Sequence, residues 1–201
     1  QNYLKKMPEN QHFKGHIIVQ SANRSDQGYS LLPWFLHKNT SKIESKIEIF
    51  PYGIGKKDDI LHLSEISDGV SNTFNSLNIE SNYFKKKKII TTLFGIKKFI
   101  NNKVPTKIIS LKNFMLEKKI DKIDFIKIDT EGFEYNTLLG LKDYIKKVKF
   151  ILFEHHYDNM LIKNYKFKDI HALLKENGFE KVFKTKMPFR KSFDYIYKNK
   201  N

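Results

Sequence analysis

Hydrophobic positions along the 201-residue chain fall into short runs separated by polar stretches. Residues 16–20 (HIIVQ) make an apolar run of strand length. Ser30 is placed to cap a helix carrying Leu31, Leu32, Phe35 and Leu36, with Pro33 in its first turn. Ile47 and Ile49 alternate with Glu48 and Phe50 up to Pro51-Tyr52-Gly53, which predicts a strand over about 46–51. Residues 58–63 predict another short strand. From about 64 to 105 the pattern loses its period: Ser and Asn dominate, and a β-branched run, Ile89-Ile90-Thr91-Thr92, follows. That stretch is expected to be a less regular insertion.

The second half is more regular. Residues 123–128 (IDFIKI) are apolar except for Asp124 and Lys127, as a strand covered on both faces requires. The run stops at Asp129-Thr130-Glu131-Gly132. Leu138, Leu141 and Ile145 then share one face of a predicted helix, and residues 148–153 form a second buried strand ending at Glu154-His155-His156. Phe167, Ile170, His171 and Leu174 recur at i, i+3, i+4 and i+7 of a further helix, which Asn177-Gly178 would stop. Residues 179–187 and 192–197 read as a hairpin around Pro188. Strand–helix–strand–helix and a closing hairpin predict one α/β domain over residues 1–201 with a mostly parallel sheet. The strands near 16–20, 46–51, 123–128 and 148–153 are expected as parallel neighbours, with 123–128 beside 148–153.

Composition leaves this picture intact. Hydrophobic residues are 40% and charged residues 29% of the chain, which argues against disorder, and seventeen Phe with ten Tyr supply bulk for a core. The absence of Cys excludes a disulfide scaffold, a thiolate zinc site and a cysteine nucleophile. The longest apolar runs, such as 150–153, fall far short of a membrane span, and no charged-then-apolar leader is recognisable, so a cytoplasmic protein is expected. The net charge of +15 suggests a polyanion partner. The basic residues are nearly all Lys, however, with Arg only at Arg24 and Arg190, whereas bidentate phosphate or guanine recognition favours Arg. Ala is nearly missing while Lys, Ile, Asn and Phe are abundant throughout, a pattern that A/T-rich codon usage produces by itself. The four lysines at 85–88 accordingly read as a solvated face.

In open α/β sheets, ligands bind beyond the carboxyl ends of the strands. That rule selects residues 20–23, 51–55, 129–134 and 154–156. The last two are acidic clusters after adjacent apolar strands, so their polar groups should converge on one rim. Carboxylates there can orient a hydroxyl, hold an amino group, bind a metal or act as a general base. A plainer role is also available, since Asp129 or Thr130 can cap the next helix with Glu131 and Glu134 at its N-terminus. Two clusters on neighbouring strand ends favour the functional reading. His155 and His156 point to opposite sides of an extended segment, so both cannot easily bind one ion, and no metal is expected. Phosphate-loop motifs fail: after Gly53-Ile54-Gly55, Asp58 stands where a third Gly is needed. No nucleophile elbow or Walker loop occurs.

Residues 123–134 (IDFIKIDTEGFE), followed by Leu138-Leu139-Gly140, resemble the signature of FkbM-type methyltransferases, roughly apolar-D-apolar-apolar-K-I-D-x-E-G-x-E and then x3-L-x-G. Further likenesses run from about residue 16 to 197. Tyr52-Gly53-Ile54-Gly55 before Asp58 is similar to the turn after the family's third strand, and Ser71-Asn72-Thr73 to its Ser/Thr loop. Ser110-Leu111-Lys112-Asn113-Phe114 resembles "T-L-D-x-F", with Asn113 for the usual Asp. Phe150 to Glu154 resembles the strand that ends in Glu, and Leu173-Leu174 with Gly178-Phe179 the "L-L-x3-G-F" element.

The resemblance implies a Rossmann-like fold that uses S-adenosylmethionine to methylate a hydroxyl of a sugar or secondary metabolite. By the same likeness Asp129 and Glu131 would orient cofactor and acceptor, and Glu154 or His155 would be the base. Gln20, at the place of a ribose-binding Glu, and the turn of Tyr52, Gly53 and Ile54 would meet the cofactor. The family's first strand and its D-x-G-A-N loop have no counterpart in the chain. The expectation is that they lay just before Gln1, that a gap separates the strands at 16–20 and 123–128, and that this chain binds the cofactor poorly. Two other readings compete: a basic module that binds a glycan or nucleic acid without catalysis, and a noncatalytic remnant of the same fold. The partner expected under the first reading is a small-molecule or glycan acceptor, not a nucleic acid.

Overall fold

The computed structural model describes residues 16–21, 50–66, 72–93, 95, 99–187 and 191–201. The helix expected after Ser30 and most of the strand expected at 46–51 lie outside those residues; Phe50 and Pro51 are described and carry no strand. In chain order the elements are β1 (His16–Ser21), β2 (Gly53–Gly55), β3 (Asp59–Ile66), α1 (Asn82–Leu93), β4 (Ile100–Ser110), α2 (Leu111–Glu117), β5 (Ile123–Asp129), α3 (Glu134–Leu139), a 3-10 helix (Lys142–Lys147), β6 (Val148–His156), α4 (Phe167–Glu176), β7 (Phe179–Lys186) and β8 (Ser192–Asn199).

These strands make two sheets, and both are mixed. The larger has the order β1-β5-β6-β8-β7, the smaller β2-β4-β3. β1, β5 and β6 run parallel, as a strand–helix–strand crossover requires, and β5 lies beside β6. The hairpin then adds β8 antiparallel to β6 and β7 antiparallel to β8. The expectation of a mostly parallel sheet is corrected on this point: two of the four pairings in the larger sheet are antiparallel, because a short hairpin can only return the chain antiparallel. The gap expected beside β1 is not present. Ile17 to Ser21 pair in register with Phe125 to Asp129, so the backbone groups of both strands meet each other directly.

The stretch 64–105 also has more regular structure than its pattern suggested. Ile89 to Thr92 lie in α1, not in a strand, and Ile100 opens the eleven-residue β4. β3 pairs antiparallel along most of β4, and β2 pairs parallel with its end. Asp58 ties this sheet to α2: its carboxylate accepts from the Ser110 N–H at 2.8 Å and from Asn113 Nδ2 at 2.8 Å, and the Ser110 hydroxyl caps the helix through the Asn113 N–H.

The predicted helix through Leu138, Leu141 and Ile145 is two pieces, α3 and the 3-10 helix, although all three side chains are buried in the main core as the spacing required. The break falls at Lys142, whose φ of 49° is left-handed, while Gly140 keeps helical backbone and serves close packing. A Cβ there would lie 2.1 Å from the Gly55 carbonyl oxygen, so the chain between the pieces approaches β2 as only glycine allows. The core joins Ile126, Ile128, Ile151 and Phe153 of the larger sheet to Leu138, Ile170 and Leu174 of the helices. It also takes in Ile54 and Ile109 of the smaller sheet.

Candidate active site

Strand alternation sorts the polar groups at the end of β6. Ile151 and Phe153 face the helices, whereas Phe150 and Leu152 belong to a separate cluster on the opposite face. Continuing that period of two, His155 falls on the helix side, and Glu154 and His156 on the other. His155 is ringed by Tyr157, Tyr165 and Phe167, with centroids 4.8 to 6.0 Å away. Burial in that aromatic setting, helped by Lys163 and His156, pushes its pKa down to about 3, so the ring is neutral.

After β5 the chain turns through Glu131 and Gly132 with φ of 46° and 89°. A non-glycine residue in the left-handed region is strained and persists only where its surroundings hold it. Here they do. Thr73 Oγ1 donates to the Glu131 carbonyl at 2.7 Å, Asn75 Nδ2 donates to the Gly132 carbonyl at 2.6 Å, and the Gly132 N–H donates to Glu134 Oε1 at 2.7 Å. Thr73 and Glu134 are fully buried. The Tyr165 hydroxyl meets Glu134 Oε2 and also lies 2.9 Å from the Gly132 carbonyl. The Tyr165 hydroxyl can donate to either acceptor, Glu134 Oε2 or the Gly132 carbonyl, and burial raises the Glu134 pKa while the Tyr165 hydrogen bond pulls it back. The Ser/Thr loop and Glu134 thus brace the turn from two sides.

The turn delivers the Glu131 carboxylate to His156. His156 Nε2 is 3.3 Å from Glu131 Oε2 and 3.5 Å from Glu154 Oε1, and its Nδ1 is 3.4 Å from Asp158 Oδ2. All four residues are buried. Burial alone would lower the His156 pKa, but Asp158, Glu131, Glu154 and Glu134 outweigh it and carry it up to about 9. For Glu131 burial prevails: its pKa rises to about 7 despite the pull of His156, with Asp129 and Glu154 adding to the rise. Lys87 of α1 acts in the opposite direction, which puts that helix within electrostatic reach of the site. Yet His156 Nε2 and Glu154 Oε1 have no hydrogen-bond partner. They face each other as a loose ion pair at 3.5 Å, and each keeps hydrogen-bonding capacity for a ligand.

Of the residues singled out in the sequence, three converge here: Asp129, Glu131 and Glu154. Asp129 is half-buried at the end of β5, with its Oδ2 accepting from Lys127 Nζ at 2.9 Å. Gln20 lies in β1 with its Cα opposite Ile128, one position from that end. Tyr52, Gly53 and Ile54 are placed elsewhere, in and before β2 rather than on a turn. The Tyr52 ring packs on Phe50 and Phe114, and Ile54 is buried in the core. A Cβ at Gly53 would meet Ile108 and Phe74, and one at Gly55 would meet Ile108 and Phe133, so packing against β4 and the Phe133 region accounts for both glycines. The Tyr52 hydroxyl is buried without a partner. His156 and Asp158 are the groups that residue-by-residue reading underrated. The period of two was the available signal, since it puts His156 and not His155 on the same side as Glu154.

The Methyltransferase FkbM domain matches residues 15–181. The chain belongs to the FkbM methyltransferase family. No curated protein and no solved structure matches it. The FkbM match runs from β1 through all of α4 to the start of β7, and therefore includes every member of the Glu131–Glu154–His156–Asp158 cluster. Among the described residues of this FkbM domain, no group of three or more His, Cys, Asp or Glu is arranged to hold a metal ion, and no helix is long and apolar enough to cross a membrane.

Proposed function

We propose that this FkbM domain transfers a methyl group from S-adenosylmethionine to a hydroxyl oxygen of a sugar or secondary metabolite in the cytoplasm. The observation that carries the reading is the buried pair of unmatched atoms, Glu154 Oε1 and His156 Nε2, facing Glu131. These two atoms are 3.5 Å apart, so a hydroxyl meeting both from one side can donate to the carboxylate and accept from the imidazolium. Glu131, with its pKa near 7, is suited to take the hydroxyl proton at neutral pH. His156 keeps the two neighbouring carboxylates from repelling one another and fixes their orientation.

When bound, S-adenosylmethionine supplies an electrophilic methyl group. Asp129 and Gln20, at the paired ends of β5 and β1, are the groups we assign to holding it. The chain's own contribution is alignment and removal of one proton, and alignment supplies much of the rate in such a transfer. Glu131 would take the acceptor's hydroxyl proton, leaving the oxygen nucleophilic toward the methyl group that the cofactor would supply.

Methyl transfer from radiolabelled cofactor to a panel of polyhydroxylated acceptors tests this. Glu131→Gln should lower kcat by roughly 10²–10⁴, and Asp129→Ala should chiefly raise KM for the cofactor. Transfer by Glu131→Gln at the unaltered rate would remove the assigned base. No transfer to any hydroxylated acceptor, with salt-sensitive binding to an anionic glycan or nucleic acid instead, would favour a binding module.

A further inference from the structure

α1 has one fully buried side chain, Phe84, which packs edge-on against Phe99 at 4.9 Å and joins Ile66, Met160 and Leu161. On the opposite face stand Ile89, Ile90 and Leu93, exposed by 61%, 54% and 81%. Ile89 and Leu93 are one turn apart, and Lys86 stands one turn before Ile89, so the outward stripe is Lys86-Ile89-Ile90-Leu93. Lys85 borders it, Lys88 stands exposed on the same side but nearer Phe84, and the twelve residues of the helix include no acid. Lys85 reaches Glu80 at 2.8 Å, at the exposed start of the helix.

Three large aliphatic side chains exposed together on one short helix mark a contact surface. The charge around them narrows what can cover it. A second copy of this chain would bring its own lysines and a net charge of +15 against the first, which opposes self-association. A nucleic acid would match the lysines and leave the aliphatics in water. A bilayer with anionic headgroups matches both, because lysine stems extend to phosphates while the aliphatics enter the acyl boundary. We propose that α1 docks the protein peripherally on an anionic membrane surface through Ile89, Ile90 and Leu93, with Lys85, Lys86 and Lys88 on the headgroups. The inner side of the same helix holds Lys87, within electrostatic reach of Glu131, so docking would set the acidic site close to the membrane. This holds whether or not the reaction is a methyl transfer.

Co-sedimentation with vesicles tests the proposal on the whole chain. Vesicles of phosphatidylcholine and phosphatidylglycerol in equal parts should carry the protein down, and phosphatidylcholine alone should not. The double substitution Ile89→Asn with Leu93→Asn should weaken binding by about tenfold or more, and so should Gln at Lys85, Lys86 and Lys88 together. All of these positions are exposed, so the melting temperatures should be unchanged. On the unaltered chain, the anionic vesicles should slow hydrogen exchange in Asn82–Leu93. Failure to bind anionic vesicles would overturn the docking surface. So would undiminished binding by the Asn variant, exchange slowed only elsewhere, or a dimer that the Asn variant abolishes.

Discussion

At Glu131 the backbone is strained and the carboxylate is buried, and both features serve one purpose: they hold an acid against His156 that solvent and a relaxed turn would not keep there. The arrangement has a pH signature. His156 titrates near 6.5 when unfolded and at about 9 when folded, so between these values the folded protein holds a proton that the unfolded chain has released. Its contribution is therefore complete below pH 6.5 and lost as pH rises through 9. Glu131, raised from 4.5 to about 7, loses its contribution on the way up to pH 7. His155, lowered to about 3, works in the reverse sense, and its contribution is lost as pH falls from 6.5. Those two oppose one another below neutrality, which leaves His156 to dominate above it. Urea unfolding at a series of pH values should show stability falling between pH 7 and 9, by on the order of 3 kcal/mol at most. His156→Gln should flatten that fall. An equally steep decline in the variant would show that other groups cause it.

Among the elements, β2 and α3 decide how the two sheets meet. Ile54 and Ile109 enter the core of the larger sheet, and Thr137 Oγ1 donates to the Ile54 carbonyl at 3.4 Å. Gly140 and Gly55 then touch backbone to backbone. Gly140→Ala should be poorly tolerated, because the obstructing atom is a carbonyl oxygen with no rotamer to escape into. An overpacking cost of about 1–3 kcal/mol, at the upper end here, is expected as a lower denaturation midpoint with an unchanged m-value. An unaltered midpoint would mean that the sheets can separate without penalty. Elements on single-period patterns were readable in advance: β5, β6, α4 and the hairpin stand within a few residues of where apolar spacing put them. α1 was not readable. Its lysines and β-branched residues follow neither period, and one anchor, Phe84, holds it through contacts far along the chain.

For the whole molecule, the weight of the structure lies in β5, β6 and β8. Ile126, Ile128, Ile151, Phe153 and Tyr197 are fully shielded there, whereas β3 and α1 expose Ile60, Ile89 and Leu93. Native-state hydrogen exchange should accordingly be slowest in β5, β6 and β8, and several orders of magnitude faster in β3 and α1. Uniform protection across both sheets would contradict this. The sequence by itself determined the parts that depend on near neighbours: the strands on either side of the acidic clusters, the hairpin, the family to which residues 15–181 belong, and the presence of Asp129, Glu131 and Glu154 at strand ends. Local periodicity and a dense motif suffice for those. Only the tertiary structure decided that β1 pairs directly with β5, that Gly53 and Gly55 are close-packed in a second sheet, and that the Glu131 carboxylate is brought against His156. Each of these is set by partners tens of residues away, through hydrogen bonds, packing and shared charge that no local pattern records.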